Sequence, residues 1–203
     1  MMKKTSLMAL ILAISVTSCK KSVTTTDEPP LPQQPNQQTE LPDSTLWGHL
    51  GEDTGMSTMQ FITEQGDTLE LYRTNPYTGE DGRLTGEVRN LTDRFAITIT
   101  QGGETMLTAI NATQLAQTWK ADGGELNIKQ DGTVDSEGLP YNGWKLWNGH
   151  ILLSAEVEHE YGKVTRIDTM DILWLDEDSL VILNHINQQI RFIKGGVKGN
   201  GKR

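Results

Sequence analysis

The stretch from residue 141 to residue 159, YNGWKLWNGHILLSAEVEH, decides the fold that we expect of this chain. Apolar residues recur with a period of two at Ile151, Leu153, Ala155 and Val157, and Asn148-Gly149 separates this run from the run before it. A period of two places alternate side chains on opposite faces of a β-strand. Asn-Gly between two such runs favours a tight turn. The stretch therefore predicts two antiparallel strands joined at Asn148-Gly149.

The same pattern continues on both sides of this hairpin. Short apolar runs are separated by Gly and Asp turn signals from residue 44 to residue 194, and no clean helical period extends over ten residues. The best helical turn covers residues 112–117, with Asn111 as its cap. Five strands are predicted before this turn, at 57–63, 68–74, 83–88, 94–100 and 104–111. Eight are predicted after it, at 118–121, 125–130, 133–136, 141–147, 150–159, 163–175, 179–184 and 188–194. The fold class is all-β, as a sandwich or a barrel.

The strand at 163–175 has an irregular pattern. Met170, Ile172 and Trp174 fall on one face, whereas Ile167 and Leu173 fall on the other. A β-bulge changes which side chains face the core. We therefore expect a bulge near residues 168–169.

The first nineteen residues resemble a bacterial lipoprotein signal. Lys3 and Lys4 form a basic start, an apolar run extends from Leu7 to Val16, and Cys19 follows. The run is shorter than the roughly 20 residues of a membrane-crossing helix, so it indicates a signal segment. An ordinary cleaved secretory signal is the rival interpretation, although the A-x-A-like site is absent. The resemblance implies lipid on Cys19, which would anchor the protein to a membrane.

The composition limits the function classes. The formal net charge is −9, and removal of residues 1–18 with their two lysines changes it to −11. An acidic protein is a poor partner for nucleic acid. Cys19 is the single cysteine, so no internal disulfide can form. Motifs of hydrolases, metalloproteases and nucleotide-binding proteins are absent, and the acids at 176–178 are interpreted as a turn in preference to a calcium loop. We expect no enzyme, catalytic residue, metal or cofactor.

A series of motifs from Trp119 onward resembles a lipocalin-like family of Bacteroidetes lipoproteins. The motifs are, in order, Trp119, Gly124-Glu125-Leu126, Asp131-Gly132, Tyr141-Asn142-Gly143-Trp144-Lys145-Leu146, Gly149-His150-Ile151-Leu152, Asp168-Thr169-Met170-Asp171-Ile172 and Asp178-Ser179-Leu180. The resemblance covers about residues 112–194. It implies an eight-stranded antiparallel lipocalin-like barrel, preceded by a small five-stranded β-domain.

The predicted organisation has five parts. A signal peptide at 1–18 is followed by lipidated Cys19 and a disordered Pro-rich tether at 19–43. The small β-domain spans 44–111, the barrel spans 112–195, and a flexible tail ends the chain at 196–203. The expected location is the cell envelope, on the outer membrane, with Lys20 and Lys21 favouring the periplasmic side over the cell surface.

The barrel interior is the candidate binding site, because lipocalins in general bind small apolar molecules there. The candidate ligand or partner contact residues are Trp144, Tyr141, Trp147, Leu146 and Met170. An exposed Trp147 beside Tyr141 would stack on sugar rings or anchor a protein partner, and the alternative is that it closes the end of the barrel or packs between the two domains. Trp144 shares a strand face with Leu146, and Trp147 shares the other with Tyr141. An eight-stranded barrel holds one small ligand or is filled by its own side chains. The leading hypothesis is non-enzymatic binding of a small apolar ligand or an envelope protein. The alternatives are an interaction module with a filled barrel and a hydrolase acting on glycans or peptides.

Overall fold

The computed structural model describes residues 42–195. The predicted signal peptide, Cys19, nearly all of the tether and the tail at 196–203 lie outside the described residues. The described residues belong to one compact unit. Among them, no helix combines the length and the apolar character that a membrane span requires.

The first half of the described chain forms a six-stranded sheet. Its strands are β1 (Leu46–Leu50), β2 (Thr58–Thr63), β3 (Thr68–Tyr72), β4 (Arg83–Thr85), β5 (Phe95–Ile99) and β6 (Met106–Asn111). They lie in the order β3-β2-β1-β5-β6-β4, and only the β4–β6 pair is parallel. One face packs a core that includes Met59, Phe61, Leu71, Phe95 and Ile97.

The sheet contains one strand, β1, in addition to the five that the sequence predicted. Gly48 in its middle weakens the strand pattern, because glycine has no side chain to pack. The structure explains this glycine by a close approach of β2. A Cβ atom at Gly48 would lie 2.1 Å from the carbonyl oxygen of Ile62. Gly48 therefore allows β1 to pair with β2, although the same glycine makes β1 hard to recognise in the sequence.

The second half begins with one helical turn and continues as a barrel. Helix α1 (Ala112–Leu115) is followed by β7 (Thr118–Ala121), β8 (Gly124–Ile128), β9 (Val134–Glu137), β10 (Gly143–Trp147), β11 (His150–His159), β12 (Gly162–Leu175), β13 (Ser179–Leu183) and β14 (Gln189–Lys194). Asn111 caps α1, with its side-chain oxygen accepting from the backbone nitrogen of Gln114 at 2.9 Å. The predicted helical turn, its cap and the eight predicted strands are confirmed.

The eight strands form a nearly closed antiparallel barrel. Each paired neighbour along the sheet is antiparallel, and the last strand, β14, pairs with the first, β7. Strands β9 and β10 meet where the nitrogen of Val134 donates to Asn142 and the nitrogen of Trp144 donates to Gly132. The predicted all-β class with an eight-stranded antiparallel barrel is confirmed.

The bulge in β12 lies later than predicted. Residues 162–170 pair with β11 without a shift, so residues 168–169 are regular. The register against β13 shifts between Ile172 and Trp174. As a result Leu175 is buried at 5% exposure, whereas Trp174 is 59% exposed. The prediction that Trp174 shares the buried face with Met170 and Ile172 is therefore wrong, because the extra residue turns Trp174 outward.

The six-stranded sheet packs against one end of the barrel, which we call the α1 end. The antiparallel topology places the turns at 129–133, 148–149 and 176–178 at this end. Ala96 and Ile110 of the sheet join the same apolar cluster as the barrel interior. Arg83 donates to the carbonyl oxygen of Gly149 at 3.1 Å, and the nitrogen of Asn148 donates to Thr45 at 2.8 Å.

Candidate functional site

The barrel interior is filled by its own side chains. The inward positions of all eight strands carry apolar residues, and their exposed fractions lie between 0 and 9%. These residues are Trp119, Leu126, Ile128, Val134, Trp144, Leu146, Ile151, Leu153, Met170, Ile172, Leu175, Leu180, Ile182 and Phe192. A void large enough for a ligand would leave the side chains around it accessible to a water-sized probe. The near-zero exposure therefore indicates a packed core, which is one of the two states open to a barrel of this size.

Three of the predicted contact residues lie inside this core. Trp144 and Leu146 project inward from β10, and Met170 projects inward from β12, next to Ile151 on β11. The indole nitrogen of Trp144 donates to the carbonyl oxygen of Lys129 at 2.6 Å. A buried tryptophan usually satisfies its N–H in this way. The indole is thus held by the turn between β8 and β9, and Trp144 is a core residue.

Tyr141 and Trp147 lie apart, contrary to the prediction that they share a strand face. Strand β10 begins at Gly143, so Tyr141 precedes it and is free of its alternation. Tyr141 packs against the barrel core at the end opposite α1, which we call the far end. Trp147 lies at the α1 end, 6.5 Å between ring centroids from His150. The chain turns at 138–142, and this turn directs the Tyr141 side chain toward the barrel core.

A polar cluster of Tyr141, Asp168 and Arg166 lies at the far end of the barrel. The Tyr141 hydroxyl donates to Oδ2 of Asp168 at 2.9 Å, and the Arg166 guanidinium donates to the same oxygen at 3.0 Å. Burial, and then the hydrogen bond to Asp168, raise the pKa of Tyr141 to about 12. The phenol is therefore a firmly protonated donor at neutral pH.

Sequence reasoning did not identify Asp168 and Arg166 as parts of this cluster. The available signal was their spacing. Arg166, Asp168 and Met170 alternate along β12, and in the structure they face the same side as Ala155, Leu153 and Ile151 of β11.

The α1 end is closed by α1 and the six-stranded sheet. Leu115 is fully buried, and its carbonyl oxygen accepts from the indole nitrogen of Trp119 at 2.9 Å. Trp47 packs against the barrel core from β1, with the guanidinium carbon of Arg94 4.0 Å from its ring centroid. Side chains of α1 and β1 thus cover the α1 end of the barrel.

Ionisable side chains in residues 42–195 do not assemble a metal site. No group of three His, Cys, Asp or Glu residues in this part of the chain has suitable geometry. Asp176, in the acidic turn at 176–178, instead accepts from the backbone nitrogens of Asp178 and Ser179 at 2.8 and 2.6 Å. Its other oxygen accepts from the indole of Trp174 at 2.7 Å. The carboxylate shapes the turn, as the sequence interpretation proposed.

An up-and-down barrel of eight antiparallel strands, closed by pairing of its last and first strands, is the fold of the lipocalin class. The family described as lipocalin-like matches residues 126–195. A lipocalin-like protein from Bacteroides thetaiotaomicron VPI-5482, with a crystal structure at 1.95 Å resolution, is 24% identical. Its match covers 40% of this chain and 97% of that protein, with a TM-score of 0.34. No curated protein matches. The family match confirms the predicted resemblance to a lipocalin-like family over residues 126–195.

Proposed function

We propose that this chain is a lipid-anchored, non-enzymatic binding protein of the bacterial cell envelope, and that its recognition surface lies outside the barrel. The observation that carries the proposal is the filled interior. Apolar side chains with 0–9% exposure occupy the space in which a lipocalin would hold its ligand. Binding by this fold then depends on the outer surface and on the regions where the barrel meets the six-stranded sheet.

The envelope part of the proposal rests on the N-terminal sequence. A basic start, a short apolar run and Cys19 precede a Pro-rich segment before the first strand. Several acyl chains on one cysteine would anchor the protein stably, since one chain alone binds a membrane only marginally. Labelled palmitate should enter the full-length protein and should fail to enter the Cys19→Ala variant. Equal labelling of both proteins, or of neither, would contradict lipidation at Cys19.

The competing function is transport of a small apolar ligand inside the barrel. This function is common among lipocalins, so the interior must be tested directly. We would titrate full-length protein with fatty acids and with haem, and follow tryptophan emission. We expect no saturable quenching, because the interior lacks room for the ligand.

Two single variants separate interior binding from surface binding. Trp144→Phe removes an interior tryptophan, whereas Trp174→Phe removes an exposed one. Saturable quenching that is reduced in Trp144→Phe and kept in full in Trp174→Phe would place the ligand in the barrel, where Trp119 is the second interior tryptophan. That result would overturn the proposal in favour of a carrier function.

A further inference from the structure

Strands β11 and β12 extend beyond the far end of the barrel as a two-stranded arm, residues 156–167. Strand β10 pairs with β11 only as far as Ser154, and β13 pairs with β12 only from Asp171 onward. The two strands of the arm pair with each other and turn at Glu160-Tyr161. Every residue from 158 to 167 is exposed. Within residues 42–195 no other strand supports the arm, and a two-stranded hairpin by itself is marginally stable in water.

Both edges of the arm carry backbone groups that no strand of the described chain covers. The carbonyl oxygen of Ser154 accepts from the nitrogen of Asn142, so Ser154 directs its backbone groups toward the β10 side. This direction alternates along an antiparallel strand. The residues whose N–H and C=O groups face outward are therefore Glu156 and Glu158 at the β11 edge and, directly opposite these two and Ser154, Thr165, Lys163 and Ile167 at the β12 edge. Open strand edges pair readily with a further strand.

The β12 edge has a composition suited to strand pairing. It reads KVTRI from residue 163 to residue 167, with three β-branched residues and no proline. Val164 and Ile167 are 50% and 54% exposed. A lysine on an edge strand often discourages association, but the Lys163 ammonium is engaged by Glu156 of β11 at 3.2 Å. The edge therefore offers free backbone groups and apolar side chains to a further strand.

We propose that the β12 edge pairs with the same edge of a second copy of this chain, so that two arms form one four-stranded sheet. A twofold axis at Thr165 places this residue opposite Thr165 of the second copy, in an antiparallel register. Lys163 then lies opposite Ile167 of the second copy, and Val164 lies opposite Arg166. No like charges face each other in these pairs, and Thr–Thr pairs across strands are favourable. The register also matches the outward backbone groups of Lys163, Thr165 and Ile167. This self-association goes beyond the proposed function, because it does not depend on where a ligand binds.

The β11 edge does not complement itself in this way. A twofold axis at Val157 would place Glu156 opposite Glu158 of the second copy, and an axis at either glutamate would place that residue opposite itself. Like charges directly opposite each other destabilise a strand pair. Pairing of a β11 edge with a β12 edge, in the register of the hairpin itself, would put two barrels about 10 Å apart, which is less than the width of an eight-stranded barrel. Twofold pairing through β12 instead leaves the barrels at opposite ends of the shared sheet.

The same register brings exposed apolar side chains of the two copies together. Tyr161 of the second copy comes opposite Thr169, beside the turn that follows Leu183 in β13. Tyr161 is 89% exposed, and Ile186 in that turn is 66% exposed. The pairing thus covers part of both side chains. The contact remains small, so the affinity between free copies should be low.

Disulfide trapping tests the pairing in the full-length protein, even when the affinity is low. In the twofold register the Cα atoms of Thr165 in the two copies lie about 5.5 Å apart, within the range that a disulfide spans. The Cα atoms of Glu156, directly opposite Thr165 on β11, lie about 14 Å apart across the four strands. Intact cells that produce Thr165→Cys or Glu156→Cys are treated with a mild oxidant. Wild-type protein, whose one cysteine is Cys19, gives the baseline.

We expect the Thr165→Cys dimer to exceed the Glu156→Cys dimer at least about tenfold, because only the first pair lies within disulfide range. Equal cross-linking of the two variants would indicate random collision and would overturn the proposal. Absence of cross-linking from both would indicate separate copies and would also overturn it. Cross-linking of Thr165→Cys only to a different protein would replace the second copy with an unlike partner.

A second substitution in the Thr165→Cys protein tests the register. Val164→Arg places an arginine opposite Arg166 of the other copy, twice in each pair, and should lower the yield of linked dimer about tenfold. Val157→Arg makes the same change on β11, directly opposite Val164 and away from the twofold axis, and should leave the yield unchanged. Thermal unfolding of each variant is the control for folding. An equal effect of the two arginines would overturn the proposed pairing.

Discussion

Replacement of Tyr141 with phenylalanine should remove one hydrogen bond, to Asp168, at the far end of the barrel. The Tyr141 hydroxyl donates to Asp168 at 2.9 Å, and Phe would leave the ring in place while removing this donor. Asp168 keeps its contact with Arg166 at 3.0 Å, so the carboxylate retains a charged partner. The variant therefore isolates one hydrogen bond without creating an unpaired buried charge.

The size of the effect at neutral pH follows from the environment of the bond. A hydrogen bond to a charged acceptor contributes roughly 1.5–3 kcal/mol when it is well buried. Tyr141 is only partly buried, and solvent screens its interaction with Asp168. We therefore expect Tyr141→Phe to lower the free energy of unfolding by about 1 kcal/mol.

The pH dependence gives the sharper test. The pKa of Tyr141 is raised to about 12 in the folded protein, from 10 for an unperturbed tyrosine. Below pH 10 the phenol is protonated in both states, so its contribution to stability is complete. Between pH 10 and 12 only the unfolded state loses the proton, and stability falls as the pH rises. After allowance for solvent screening, the loss across this window should be about 1 kcal/mol.

The measurement is urea unfolding of the wild-type protein and of Tyr141→Phe at several pH values from 7 to 11.5. The difference in unfolding free energy between the two proteins removes the contribution of every other titrating group. We expect this difference to be constant up to about pH 9.5 and to shrink above it. A difference that is zero at pH 7, or that stays constant through pH 11.5, would refute the role of the Tyr141–Asp168 contact.

Three further predictions test the fold by urea unfolding. Gly48→Ala should lower the free energy of unfolding by more than about 2 kcal/mol, because its Cβ would lie 2.1 Å from a β2 carbonyl oxygen. Gly102→Ala should be neutral, because a Cβ atom there would have no atom within 4 Å. A similar loss of stability in both variants would refute the close approach at Gly48. Leu175→Ala should cost about 2–4 kcal/mol and Trp174→Ala less than about 1, and the reverse order would place the bulge elsewhere. Asn111→Ala should cost about 2–3 kcal/mol through loss of the α1 cap and two further hydrogen bonds, and a cost below 0.5 would contradict that role.

The barrel strands were predictable because their signals are local. Alternation of apolar residues locates β11, and turn residues such as Asn148-Gly149 separate it from β10. Asn111 likewise indicated α1 through the preference of asparagine for helix caps. These features depend on residues close in sequence.

The features that the sequence did not predict depend on distant contacts. The sequence did not predict β1, because the glycine at position 48 is explained only by the close approach of β2, which is a tertiary contact. The bulge at Ile172–Trp174 was misplaced, since two nearby positions give similar apolar patterns and only pairing with β13 distinguishes them. The cleft at the α1 end that is lined by Glu87, Asn111 and Glu177 combines three segments, and no local pattern brings these segments together.

The barrel is filled because an empty interior would lower the stability of the fold, and a chain with one cysteine has no internal disulfide to offset that loss. An empty space of about 300 Å³, the lower limit for a ligand pocket, would cost on the order of 7 kcal/mol at about 24 cal/mol per Å³ of cavity. That cost is comparable with the whole stability of a domain of this size. An internal disulfide could offset part of it, but Cys19 has no partner cysteine. Filling the interior avoids this cost.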